Sequence, residues 1–89
     1  MEQINTNDLY IKLKDEIINF QKKIIPLEWL LFIAEAYNDE MAVFLQSPQG
    51  QNTFLNVINR LVADQIISPI GKKPNTPQGL HLKYRKKFE

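Results

Sequence analysis

The chain predicts an α+β fold, mostly helical, in which four helices are followed by a C-terminal two-stranded β-hairpin. Two patterns carry that expectation. Between Phe54 and Val62 the apolar residues Phe54, Val57, Ile58, Leu61 and Val62 have the three-and-four spacing of one helix face. From Leu80 to Arg85 they alternate, with Leu80, Leu82 and Tyr84 on one side, which is the period of a half-buried strand. A length of 89 residues allows one modest core, and 44% apolar against 24% charged residues is the balance of an ordinary globular chain.

The first helix is expected from about Asn7 to Lys23. Ile11, Leu13, Ile17, Ile18, Phe20 and Ile24 form a broad stripe at roughly helical spacing. Asn7 suits the N-cap, with Asp8 at the positive end of the helix dipole and Lys22 and Lys23 at the negative end. So apolar a leading helix (residues 1–24) should either pack across the core or meet its twin in a homodimer. Residues 25–89 form the remainder of the same domain. Pro26 marks a break and suits the first turn of a second helix running to about Tyr37. That helix, PLEWLLFIAEAY, is apolar nearly all round and is expected at the centre of the core. Asn38-Asp39 stops it and starts a short third helix, DEMAVFLQ. Ser47-Pro48-Gln49-Gly50 reads as a turn before the amphipathic helix from Gln51 to about Asp64, although Ser47 and Pro48 also suit its N-cap and first residue. Beyond Asp64 the pattern becomes β. Ile66, Ile67 and Ile70 are β-branched, Pro69 confines the strand to an edge, and GKKPNTPQG is a turn-rich link to the return strand.

Several classes of function find little support. Cysteine is absent, so neither a disulfide framework nor a thiolate metal site is available. There is no histidine pair, no metal-ligand spacing and no glycine-rich phosphate loop, so an enzyme, a cofactor and a small-molecule ligand are not expected. Asp39 and Glu40 stand at a helix start, where capping explains them. The longest apolar run, Trp29 to Ala34, is too short to span a bilayer, and the N-terminus lacks the blocks of a signal peptide; the cytoplasm is the expected location. His81 points outward by strand parity, and Trp29, Phe32, Tyr37, Phe54 and Tyr84 are expected in the core rather than as a stacking platform.

Charge is uneven. Residues 1–59 hold four basic and eight acidic side chains, whereas residues 60–89 hold seven basic and two acidic ones, so the two portions carry −4 and +5. Such a division orients a molecule on a polyanion.

The stretch Phe54-Leu55-Asn56-Val57-Ile58-Asn59-Arg60-Leu61-Val62-Ala63-Asp64-Gln65-Ile66-Ile67 resembles the signature of the winged helix-turn-helix family. There a recognition helix ends in an Arg-Leu pair and a Gly-Leu-Ile-like element opens the wing. Gln65 stands where that family often has glycine. The resemblance covers roughly Leu27 to Arg85. It implies a winged helix-turn-helix with an extra N-terminal helix, a recognition helix at about 51–64 and a wing at 71–87. The implied partner is double-stranded DNA, in transcription, replication or mobile-element control. A helix fits the major groove, where Asn and Gln can read adenine and Arg guanine. Gln51, Asn52, Thr53, Asn56 and Asn59 are then candidates for bases or phosphates, and Arg60 for a phosphate. Lys72, Lys73, Lys83, Arg85, Lys86 and Lys87 supply the wing with cations for the backbone. Two other readings stay open: a winged helix that contacts protein, and the N-terminal module of a larger enzyme.

Overall fold

A computed structural model describes residues 6–71 and 80–87. The elements in chain order are α1 (Thr6–Asn19), β1 (Ile24–Pro26), α2 (Leu27–Glu35), α3 (Asp39–Phe44), α4 (Pro48–Ala63), β2 (Ile67–Pro69) and β3 (Lys83–Lys86). The architecture is α+β and mostly helical, with an antiparallel sheet of order β1-β3-β2. Leu9, Leu13 and Ile17 of α1 and Phe54, Val57, Ile58 and Leu61 of α4 meet in the core with Leu30, Ile25, Ile67 and Tyr84. α1 therefore crosses the core, but on Leu9, Tyr10, Leu13 and Ile17; Ile11, Ile18 and Ile24, expected in the same stripe, are exposed. The buried Leu9–Leu13–Ile17 line turns Ile11 and Ile18 toward solvent, and Ile24 lies beyond the helix.

The sheet has three strands where two were expected. Ile24, expected to continue the first helix face, and Pro26, expected in the first turn of the next helix, instead pair with β3 together with Ile25, in the register Ile24↔Arg85, Ile25↔Tyr84 and Pro26↔Lys83. Proline disfavours helical backbone at the residue before it, so Ile25 is pushed toward the extended region, and its branched side chain is buried. Ile67↔Lys86, Ser68↔Arg85 and Pro69↔Tyr84 complete the sheet on the other side of β3. Both prolines thus lie on edge strands, where a missing N–H costs no ladder bond.

α1 is correspondingly shorter than expected. It ends at Asn19, and Phe20 N–H closes the last turn on the Ile17 carbonyl at 3.1 Å. The cation at its C-terminus is Lys86 of β3, whose Nζ donates to the carbonyls of Phe20 at 2.7 Å and Ile18 at 3.3 Å. Lys22 and Lys23, expected in that role, lie exposed in the following turn. Asn7, expected as N-cap, is inside the helix, and its Oδ1 accepts from Arg60.

Only one face of α2 meets the core. Leu30 and Ala34 are buried, but Phe32 is 64% exposed and Leu31 and Tyr37 are exposed as well. A nine-residue helix covered from one side cannot bury its whole circumference, however apolar its sequence. The stretch 47–50 is not a separate turn, because Ser47 is the N-cap of α4 and Pro48 its first residue. Leu82 was expected to point inward; β3 starts one residue later, and Leu82 is exposed while its carbonyl accepts from Leu27 N–H at 2.8 Å.

Candidate nucleic-acid interface

The corner between α3 and α4 is fixed by two caps and a close approach. Asn38 Oδ1 accepts from Met41 N–H at 2.7 Å and starts α3. Ser47 Oγ accepts from Gly50 N–H at 3.0 Å and donates to the Phe44 carbonyl at 2.6 Å, joining the end of one helix to the start of the next. Gly50 is buried because the backbone of α3 passes where a side chain would be. A Cβ there would lie 1.8 Å from the Phe44 carbonyl oxygen.

From that corner α4 presents its amides. Gln51, Asn52, Asn56 and Asn59 are exposed and Thr53 is half-buried. Asn52, Asn56 and Asn59, four and three residues apart, run in one line along the helix. Their side chains hold no hydrogen bond to the described residues. Gln51 and Asn52 border a shallow depression with Pro48, Gln49 and Leu55. The opposite side of the helix is committed to the core through Phe54, Val57, Ile58 and Leu61.

Arg60 is placed differently. Its guanidinium lies 4.0 Å over the ring of Tyr10, Nη1 donates to Asn7 Oδ1 at 3.3 Å, and Nε is 4.0 Å from Asp64 Oδ2. The Tyr10 hydroxyl donates to the same Asp64 carboxylate. That hydrogen bond, then burial and the Asp64 charge, raise the Tyr10 phenol above its ordinary value, with Arg60 opposing them. Arg60 therefore fastens α4 to α1, and a phosphate would compete with these partners.

On the sheet, parity separates the cations. Lys83 and Arg85 are exposed on the outer face of the central strand, with Tyr84 buried between them. Arg85 has Ile24 on one side and Ser68 on the other, and Lys83 has Pro26. Lys87 is exposed, with its N–H on the Ile66 carbonyl at 3.1 Å. Lys86, assigned to the backbone-binding set, turns to the end of α1 instead, because an even step along β3 faces the protein. Lys72 and Lys73 lie outside the described residues. His81 is half-buried rather than outward. It precedes β3, so strand parity does not govern it; its N–H donates to the Tyr84 hydroxyl at 3.1 Å and Nδ1 is 3.2 Å from the Ile70 carbonyl. Burial raises the Tyr84 phenol, with the bond from His81 opposing.

The described part of the expected site thus divides into an amide line on α4 and the exposed cations Lys83, Arg85 and Lys87 on and just after β3. No hydrogen bond or ion pair among the described residues joins the two groups. Lys22 and Lys23, outside the expected set of cations, are exposed. Lys23 is adjacent to β3, its carbonyl accepting from Lys86 N–H at 2.9 Å. The signal available in the sequence was the Ile-Ile-Pro run, which favours extended chain after these lysines. No helix among the described residues is long and apolar enough to cross a membrane. Comparison of the chain with protein-family models, curated proteins and solved structures finds no match.

Proposed function

We propose that the protein is a winged helix-turn-helix DNA-binding domain, with α4 as recognition helix and the outer sheet face on the phosphate backbone. The observation that carries this reading is the amide line. Gln51, Asn52, Asn56 and Asn59 stand exposed on a helix whose other face is buried in the core and whose N-terminal corner is capped and close-packed. Carboxamides of this kind can bond bidentately to adenine in the major groove. The element order also supports it. α3 and α4 are joined by residues 45–47, a connection of helix-turn-helix length, and the β2–β3 pair follows α4 as a wing would. The processes such a domain serves include transcription, replication and mobile-element control.

The test is the binding of a mixed-sequence duplex, followed by fluorescence anisotropy at low and raised salt. Binding at low salt that weakens as salt rises supports the reading. Asn52→Ala and Asn56→Ala should then shift sequence preference, and equal losses on every duplex would exclude base readout by these residues. Absence of binding at low salt removes the proposal. It would favour a protein-contact role, for which the relevant observation is the exposure of Phe32 on α2 and Val43 on α3 at 64% and 72%.

A further inference from the structure

We propose that the phosphate-binding surface extends from Arg85 and Lys87 to Lys22 and Lys23 at the end of the sheet away from the β2–β3 connection. The inference rests on the DNA-binding reading and adds to it a contact that the linear charge pattern conceals, because Lys22 and Lys23 belong to the portion of the chain that is acidic overall.

The pairing brings these residues together. Arg85 faces Ile24 across the β1–β3 ladder, and the Lys23 carbonyl accepts from Lys86 N–H at 2.9 Å one step further on. Neighbouring strands are spaced by roughly 5 Å, so Lys23 stands beside the C-terminal end of β3 with Lys22 just before it. Lys87 continues β3 past the same end, its N–H on Ile66. All four side chains are exposed. Between them Lys86 is drawn to the carbonyls of Ile18 and Phe20, so its charge serves the end of α1.

No acid compensates this cluster from within the sheet. The strands read Ile-Ile-Pro, Ile-Ser-Pro and Lys-Tyr-Arg-Lys. Glu16 borders the same depression as Lys22, but it is paired with Lys12 at 3.1 Å. None of the four cations makes an ion pair among the described residues. Like charges gathered without counter-charge repel, and a polyanion relieves that repulsion. Duplex DNA carries a charge about every 1.7 Å along its axis, so a patch a few strand spacings wide meets several phosphates at once.

The test compares the full chain with its Lys22→Ala/Lys23→Ala variant on one duplex over a salt series. Both residues are exposed turn positions, so the thermal unfolding midpoint should not move. The plot of log affinity against log salt should become shallower by about 2, and affinity at 0.1 M salt should fall at least about tenfold on every sequence. A Lys22→Arg/Lys23→Arg variant should keep the slope. If the wild-type chain binds duplex and the alanine variant matches it in slope and affinity, this inference is wrong while the DNA reading stands. If the wild type binds no duplex, the DNA reading itself fails. Binding to phosphatidylserine-containing vesicles that is lost in the alanine variant, with duplex affinity unchanged, would assign the patch to an anionic lipid surface and overturn the proposal.

Discussion

Gln65 is the residue at which chain chemistry and backbone geometry disagree most. Its φ is 62°, the left-handed region, immediately after α4. The hydrogen bonds explain the position: Gln65 N–H reaches the Val62 carbonyl at 3.0 Å and Ile66 N–H reaches Leu61 at 3.0 Å. This is the Schellman arrangement, which satisfies the last carbonyls of the helix and ordinarily has glycine at that point. A side chain there costs about 1–2 kcal/mol, while glycine costs part of that in unfolded-state entropy. Gln65→Gly should therefore stabilise the protein by roughly 0.5–1 kcal/mol. Chemical denaturation would show it as a higher midpoint, and a lower one would mean that Gln65 makes compensating contacts. Two phenols set a second expectation. Tyr10 and Tyr84 are both raised above the ordinary value of 10.0, Tyr10 chiefly by its bond to Asp64 and Tyr84 chiefly by burial. Above that pH the unfolded chain releases these protons while the folded protein retains them. Their contribution to stability is thus complete below pH 10 and falls as pH rises through the folded-state values. Denaturation midpoints measured across the alkaline range should fall beyond that point. Tyr10→Phe/Tyr84→Phe should flatten the fall; an equally steep decline in the double variant would locate its cause elsewhere.

At the scale of elements the α3–α4 corner is closed so tightly that Gly50 has no room for a side chain. Replacing a helical glycine by alanine ordinarily stabilises by about 1 kcal/mol. At Gly50 the new methyl would stand 1.8 Å from the Phe44 oxygen and 2.8 Å from the Leu45 Cα, both backbone atoms that cannot rotate away. The corner would have to open, so Gly50→Ala should destabilise by about 2–3 kcal/mol, the cost of overpacking. The same variant should lose duplex affinity through the displaced start of α4. An unchanged urea midpoint would show that the helices do not approach this closely. The corner also shows what the sequence discloses. The core face of α4 follows from its period, and so does the exposed amide line, since both depend only on residues of one helix. Its start is ambiguous, because Ser-Pro-Gln-Gly has the composition of a turn and equally of a cap and first helical residue; the structure takes the second, with Gly50 close-packed against Phe44. β1, by contrast, is hidden. Three residues are too few for alternation to register, and only the residue before Pro26 hints at extended chain. α2 illustrates the one-way nature of apolarity: buried positions are apolar, but Phe32 shows that apolar positions need not be buried.

For the whole molecule, charge and packing depend on which distant segments meet. The cations Lys83 and Arg85 are legible from alternation within one strand. The proposed association of Arg85 with Lys22 and Lys23 depends on the pairing of β1 with β3, which no local pattern encodes. The same long-range closure ties α1 into the fold. Leu9, Leu13 and Ile17 are fully buried, Tyr10 bonds to Asp64 at the end of α4, and Lys86 on β3 holds the carbonyls at the end of α1. Trp29 on α2 packs against Phe20 just beyond α1, with ring centroids 4.4 Å apart. A helix held by α4, β3 and the core cannot detach without unsatisfying each of them. The chain should therefore unfold in one cooperative transition, with Trp29 emission and helical circular dichroism changing at the same denaturant concentration. Ile17→Ala should move both transitions together by about 2–5 kcal/mol, as removal of a fully buried side chain does. Were α1 an accessory to an independent core, the variant would lose helical signal at low denaturant while the unfolding of the remainder kept its midpoint. Two separated transitions would establish that arrangement.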